Sequence, residues 1–406
     1  MPKEPKKRAK KTKEPKIRTQ KPQQSKKKKE AKKQYQLLQI SAALALVAGI
    51  LVAIVGVLGS VRFSNIEDVW KMAGRQGEGF PLPTTYASLQ QAALVGKSLA
   101  LLGPTTLKIH APNSYAATNA PQLYHAPALR AANGRLLLFD RDSGQFTLRS
   151  KTKVLSDEIV MEHDIFCMDL SDNGAFAAGT KAESAASEIY AYDAKQTKRF
   201  AWRCEKEYPS AMRLNARGRG LAVCLVGTEK AEVYTRFMEF DFDQKEPRID
   251  LRLDGAWLYG LSEISGGWLA VGDQAAYLIK RGAQPQIHSY EGRTLDGYDA
   301  NGSYCAVLLQ DWDNRSLLRV YKQGELVLEQ GFRQQPQGVQ CRGGTVYLQF
   351  AERLVRWNSR SGFRQSTELP SGTQEVFVTG GQAYVLTLRN VEQMRLRWSD
   401  AEANLF

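Results

Sequence analysis

From residue 79 to the C-terminus, apolar side chains come in short runs or alternate with polar ones, and turn residues separate the runs. The segment 234–243 is the clearest case. Met238, Phe240 and Phe242 fall on one side of an extended chain, and Glu239, Asp241 and Asp243 on the other, the period-two pattern of a half-buried strand. Similar strands are predicted at 98–102, 136–139, 268–271, 304–309, 345–350 and 383–388. Helical periodicity is nearly missing from this part of the chain.

The turns recur at a regular interval. Gly96, Gly134, Gly174, Gly218, Gly267, Gly302, Gly344 and Gly381 each sit between two strand-like runs, at spacings of 38, 40, 44, 49, 35, 42 and 37 residues. Several belong to Asn-Gly or Gly-Gly pairs, which suit two-residue hairpins because both central positions need positive φ. An interval near 40 residues matches one four-stranded propeller blade. A second cue is an aromatic residue followed by Asp or Asn, as in Phe139-Asp140, Tyr192-Asp193, Phe242-Asp243 and Trp357-Asn358. The aromatic is expected to pack between blades while the polar residue opens the next turn. The predicted fold is therefore an all-β propeller over residues 79–406, with about eight four-stranded blades. Seven is the alternative, because the region 120–158 patterns weakly. The last unit offers only three strands, and the segment 79–86 can supply the fourth, its prolines suiting an edge position.

The first 78 residues read differently. Residues 37–61 contain no charge, and about 37 Å of helix at roughly 1.5 Å per residue is enough to cross a hydrocarbon core of about 30 Å. The run is too long for a signal-peptide core, and Leu58-Gly59-Ser60-Val61-Arg62 makes a poor cleavage site, so an uncleaved signal-anchor is expected. Within it, Ala45, Gly49 and Ala53 form a small-residue face of the kind that lets helices approach, although such residues are common in spans. Ser64-Asn65-Ile66-Glu67 has the form of a capping box, and Ile66, Val69 and Trp70 share one face of a short helix. Residues 62–78 are thus expected to be a juxtamembrane helix and connector, with the apolar face on the membrane or on the domain.

Charge sharpens this picture. The net charge is +14, but residues 1–36 alone carry 16 Lys and Arg against 3 Glu. Beyond residue 36 the net is close to zero, so the folded part has no overall field for nucleic acid. The tail is too polar to bury itself and is expected to be disordered and drawn to anionic lipid. Basic residues stay on the cytoplasmic side, which places the N-terminus in the cytoplasm and the propeller outside. Cys167, Cys204, Cys224, Cys305 and Cys341 show no Cys-x-x-Cys pair, and most lie in apolar stretches. They read as buried thiols, and no disulfide pair can be nominated.

The Lys-rich start, the single uncharged run, Gly77-Glu78-Gly79-Phe80-Pro81, Pro127-Ala128-Leu129, Arg135-Leu136-Leu137-Leu138-Phe139-Asp140-Arg141 and Met168-Asp169-Leu170-Ser171-Asp172-Asn173-Gly174 make up a recognisable organisation. It resembles a domain-of-unknown-function family of single-pass, membrane-anchored β-propeller proteins of Gram-positive bacteria. The propeller part also looks like WD40-like and quinoprotein-like propellers, without their Gly-His and Trp-Asp signatures or quinone-binding hallmarks. The resemblance implies a fold and a location but no activity.

No linear motif for chemistry stands out. His110, His125, His163 and His288 are scattered without metal-ligand spacing. Asp140-Arg141-Asp142-Ser143-Gly144 faintly resembles a calcium loop, but the position that would need Glu is Lys151. Asp311-Trp312-Asp313-Asn314 places two carboxylates beside an aromatic, and a turn explains it more simply. No catalytic, cofactor-binding or metal residue is assigned. The expected function is a membrane-anchored, extracytoplasmic binding or scaffold propeller for a protein, peptide or envelope polymer. The alternatives are a sensor signalling through the tail, or an envelope hydrolase or lyase.

Overall fold

The structure is a computed structural model, and it describes residues 63–400 apart from 157–158, 303, 359–361 and 363. The basic tail 1–36 and the uncharged run 37–61 lie outside the described residues. No helix among the described residues is long and apolar enough to cross a membrane. Two units are distinguished, 1–66 and 67–406. Of the first, only 63–66, the start of a helix spanning Phe63–Met72, are described.

The second unit is a ring of sheets. Among the described residues there are eight, seven of four strands and one of five, each an antiparallel meander. The blades cover residues 91–121, 127–156, 165–204, 208–254, 258–289, 294–332, 338–368 and 373–395, and are numbered one to eight in that order. The chain is therefore an eight-bladed propeller. Blade two, the least distinct in sequence, is complete but ends in a short strand, Val154–Ser156.

Seven of the eight periodic glycines sit in the turn between the first and second strands of their blade, and Gly267 opens the second strand just after that turn. Six of the eight take positive φ themselves, and at Gly267 and Gly381 the preceding Gly266 and Gly380 do so instead. Gly218 carries a second constraint. A Cβ there would come within 2.3 Å of the Asn173 amide, which bonds the Arg217 carbonyl from the neighbouring blade. The glycine period records turn geometry, together with the close approach of one turn to the next.

Between blades the packing is apolar on both sides of the inner strands. Val223, Met238 and Phe240 pack toward blade three, while Cys224, Phe237 and Leu253 pack toward Trp268 and Tyr277 of blade five. The strand Glu232–Asp241 is thus not half-solvated as its alternation predicts. Glu239, expected to face water, is buried and is held by the Arg281 guanidinium from the next blade, with Nε at 2.9 Å. A blade sandwiched between two others has no solvent face, so alternation here separates two neighbours rather than core from water.

The ring closes as the sequence pattern predicts. Leu82–Pro83 pairs with Asn390–Arg395 as the outer strand of blade eight, with Leu82 opposite Val391. Phe80, Leu82 and Tyr86 then fill the seam where blade eight meets Leu99 and Leu101 of blade one. The Tyr384 hydroxyl donates to the Lys97 carbonyl at 2.8 Å across this seam. A fifth strand not predicted from sequence, Ser399–Asp400, adds to the edge of blade seven.

Antiparallel meanders give the ring two chemically distinct faces. Turns between strands one and two, and between three and four, lie on one face; turns between strands two and three, and the links between blades, lie on the other. The segment 67–81 is fastened to the first of these, here called the proximal face. Asp68, 2% exposed, accepts hydrogen bonds from Ser150 Oγ at 2.7 Å, Thr152 Oγ1 at 2.6 Å, and the backbone N–H groups of Lys151 and Thr152 at 3.0 and 3.1 Å. Gly77 N donates to the Asn113 carbonyl and Gly79 N to Ser114 Oγ. The helix therefore meets the domain through a buried carboxylate. Val69 and Trp70 are left exposed at 63% and 77%. The helix begins before Ser64, and Glu67 pairs with Lys71 at 2.8 Å and Lys153 at 3.6 Å, so the expected capping box is not formed.

Replacing Asp68 by Ala removes four acceptor contacts from a buried turn and should release the helix from blade two, at a cost of roughly 2–4 kcal/mol. Hydrogen exchange should show faster exchange over 67–72 and 150–153 while the remaining blades stay protected. Unchanged exchange in both segments would contradict the assigned role.

Candidate functional site

The innermost strands build the surface around the ring axis. In blades three, four, five, six and eight these strands carry a bulge, at Ile165/Cys167, Pro209/Ala211, Leu258/Gly260, Leu295/Gly297 and Thr373/Glu375. A bulge adds one residue and re-aims its side chain. The added residues include Phe166 and Tyr259. Phe166 meets Tyr208 of blade four edge-on, with ring centroids 5.5 Å apart, and Tyr259 stacks on Trp257 at 6.2 Å. The Tyr298 hydroxyl of blade six donates to the Tyr259 carbonyl at 2.9 Å. Gly260 makes this approach possible, since a Cβ there would lie 2.3 Å from the Tyr298 ring. Burial raises the Tyr298 hydroxyl pKa, and the Arg130 charge from blade two partly offsets this.

Exposed large apolar side chains concentrate on the same, distal face. Leu123, Val160, Trp257, Trp312 and Leu388 all lie in its turns and blade links, and Trp312 is 90% exposed. Tyr208, Val233 and Tyr259 stand at strand ends beside them. The result is a broad aromatic and aliphatic surface around blades three to six, edged by carboxylates such as Glu162, Asp164, Glu205 and Asp273.

The residues considered for chemistry in the sequence are occupied structurally. Asp140 is buried and accepts from Ala126 N at 2.9 Å, Asp142 N at 3.2 Å and Ser143 Oγ at 3.0 Å, so its oxygens fix a turn. Asp311 does the same for Asp313 N and Arg315 N, and Asp313 pairs with Arg315 at 3.5 Å. The four histidines do not come together, and no group of three or more His, Cys, Asp or Glu side chains among the described residues could hold a metal. His110 bonds the Ser114 carbonyl at 3.3 Å, and His288 packs on Tyr321; burial lowers the pKa of both. All five cysteines are free thiols. Burial pushes Cys167 and Cys341 up to about 12 and Cys204 to about 11, so they remain protonated and unreactive.

A cavity of about 420 Å³ opens on the proximal side of the axis, lined by Asp172, Arg213, Asn215 and Glu263 among others. Arg213 and Glu263 in its lining are also committed. Arg213 faces Asp169 at 3.5 Å, Asp169 accepts from Leu214 N at 2.8 Å, and Glu263 accepts from Ala216 N at 2.7 Å. These bonds join blade three to four and blade four to five. Asp299 repeats the first arrangement between blades six and seven, accepting from Cys341 N at 2.8 Å and Arg342 at 2.9 Å. Polar groups near the axis thus serve to stitch blades together.

With its ring of four-stranded meanders closed by an N-terminal strand, this chain is a β-propeller of the kind used as a binding platform by many unrelated proteins. It belongs to the family of unknown function DUF5711, whose model matches residues 119–396. Among solved structures it is similar to Sqt1 of Saccharomyces cerevisiae, with a TM-score of 0.55, 11% identity, and coverage of 79% of this chain and 100% of that one. It is also similar to a eukaryotic initiation factor, with a TM-score of 0.53, 10% identity, and coverage of 83% and 92%. At these identities the likeness is one of fold. No curated protein matches the chain.

One titrating group lies near the axis. Glu375, on the inner strand of blade eight, has its carboxyl raised by burial to about 7. A raised carboxyl pKa stabilises the fold below the unfolded value of 4.5, and that stability is lost as pH rises through about 7. Glu375→Gln should therefore flatten the pH dependence of melting between pH 4.5 and 7. It should also stabilise the protein at pH 8 by roughly 2 kcal/mol. A variant whose melting still falls with pH as steeply as the parent's would contradict this.

Proposed function

We propose that the protein is a membrane-anchored, extracytoplasmic platform whose distal face binds a protein partner. The uncharged run 37–61 serves as the anchor, and the Lys-rich tail holds the N-terminus in the cytoplasm. The observation that carries the binding assignment is the collection of exposed Trp257, Tyr259, Tyr208 and Trp312 on one face. Trp257 and Tyr259 stack on each other and Tyr208 meets Phe166 edge-on, so little side-chain entropy is lost when a partner covers these three rings. Aromatic anchors surrounded by polar residues are the usual composition of protein interfaces. The acidic edge favours a partner with a basic contact surface.

The reading also accounts for the fate of Asp140 and Asp311, weighed for chemistry in the sequence, and of the near-axis carboxylates Asp169 and Asp299. Asp140, Asp169, Asp299 and Asp311 each spend their oxygens on turns or on neighbouring blades, which leaves aromatic contact as the chemistry the exposed surface offers.

The test is cross-linking and affinity capture from the native membrane with the full chain, compared with the triple variant Trp257→Ala, Tyr259→Ala, Trp312→Ala. A partner recovered with the parent should fall at least about tenfold with the variant, as expected for loss of more than 1.4 kcal/mol. Melting should change little, because these side chains are exposed. Equal recovery with the variant, or labelling of distal-face residues only from the cytosol, would refute the proposal.

A further inference from the structure

We infer that the proximal face of the propeller lies against an anionic lipid surface, so that the ring sits flat on the membrane with its aromatic face outward. This rests on the anchored reading above and adds an orientation and a lipid class to it. Three independent observations carry the inference.

The first is rigidity of attachment. Residues 67–81 are bonded to turns of blades one and two at several points. Asp68 holds blade two, and Arg75 Nη1 donates to the Tyr115 hydroxyl at 2.7 Å. Asn113 Nδ2 donates to the Arg75 carbonyl at 2.6 Å, and Gly79 N to Ser114 Oγ at 2.7 Å. Only five residues, 62–66, lie between the uncharged run and Glu67, a reach of at most about 18 Å. The segment that follows the predicted span is thus bonded to the proximal face.

The second is the helix itself. Its side facing away from Asp68 presents Val69 and Trp70 to solvent and is followed by Lys71. An exposed Trp with an aliphatic neighbour and a lysine, just beyond a predicted span, suits the headgroup region of a bilayer.

The third is charge segregation, which the near-neutral total conceals. The proximal turns carry Lys97, Lys153, Lys195, Arg217, Arg219 and Lys245, which outnumber the acids Asp172, Asp193, Asp243 and Glu246 of the same turns. Between blades three and four a cavity of about 720 Å³ is lined by Lys195, Arg199, Arg217 and Arg219, which outnumber its two carboxylates, Asp193 and Asp243. Asp193 in the same cavity is occupied by Arg199 at 2.7 Å and by the N–H groups of Lys195 and Thr197. Among the described residues Arg217, Arg219 and Lys195 have no carboxylate partner within ion-pair distance. Unpaired cations of this kind are attracted to anionic headgroups near the surface. The distal turns and links carry Glu162, Asp164, Glu183, Glu205, Asp273 and Glu352, which outnumber bases such as Lys206, Lys230, Arg293 and Arg333, and would be repelled.

The test uses the full chain reconstituted in vesicles of phosphatidylglycerol and phosphatidylcholine with an acceptor dye on the headgroups. A donor is placed at Gln284→Cys on the proximal face or at Trp312→Cys on the distal face; the native thiols are buried or nearly so. Energy transfer should be several-fold stronger from position 284 than from 312. The difference should shrink in pure phosphatidylcholine, at high salt, and in a Lys195→Glu, Arg217→Glu, Arg219→Glu variant. Equal transfer from both positions, stronger transfer from 312, or insensitivity to lipid charge would overturn the inference. So would tighter binding of the basic face to duplex DNA than to phosphatidylglycerol at the same salt. Alkaline carbonate washing of the same vesicles separates the two claims. A protein stripped off by carbonate refutes the anchor, whereas one retained with equal transfer refutes only the orientation.

Discussion

The structure depends on closure. Each blade is a sheet whose two faces are both apolar, and each face is covered only by the next blade. Val223 and Cys224 show this within two adjacent residues, one packed toward blade three and the other toward blade five. A row of such sheets would end in two greasy faces and two open edges, and only a ring removes them. The ring is joined by Leu82–Pro83 lying on Asn390–Arg395, with Phe80, Leu82 and Tyr86 sealing blade eight against blade one.

That closure also determines which chemistry falls where. Because the closing strand enters from the side of the first-to-second-strand turns, the N-terminal helix is delivered to that same face and Asp68 reaches the blade-two turn. The segment 67–81 makes its described bonds on the proximal face only, away from the opposite one. It is there that bulged inner strands, a blade link and a second-to-third-strand turn display Phe166, Tyr208, Trp257, Tyr259 and Trp312. The two-faced character of the molecule therefore follows from meander topology and from the point at which the chain joins its own ring.

Much of the fold was legible in the sequence because turn geometry leaves a residue-level trace. Eight glycines, or the glycines just before them, take the positive φ that tight hairpins need, so their spacing reported the blade count. The prolines at 81 and 83 marked an edge, and the closing strand was found there. The surroundings of the middle strands were not legible. Glu239 reads as solvent-facing by alternation, and only the arrival of Arg281 from another blade makes its burial tolerable. The binding surface left no linear motif either, since Trp257 and Tyr259 stand at the start of blade five and Trp312 in a turn of blade six, and only the ring puts them on one face. Bulges, which aim Phe166 and Tyr259, are a property of pairing register and have no fixed sequence signature.

The most direct check on closure is a cross-link at the seam. Leu82 and Val391 are paired residues on adjacent antiparallel strands, close enough for a disulfide when both are replaced by cysteine. Mass spectrometry of the oxidised Leu82→Cys, Val391→Cys chain should find an intramolecular bond joining these two positions in nearly all molecules, with the fold retained. If the two thiols stay free, or pair only between separate chains, the ring is not closed by this strand and the assignment of the two faces fails with it.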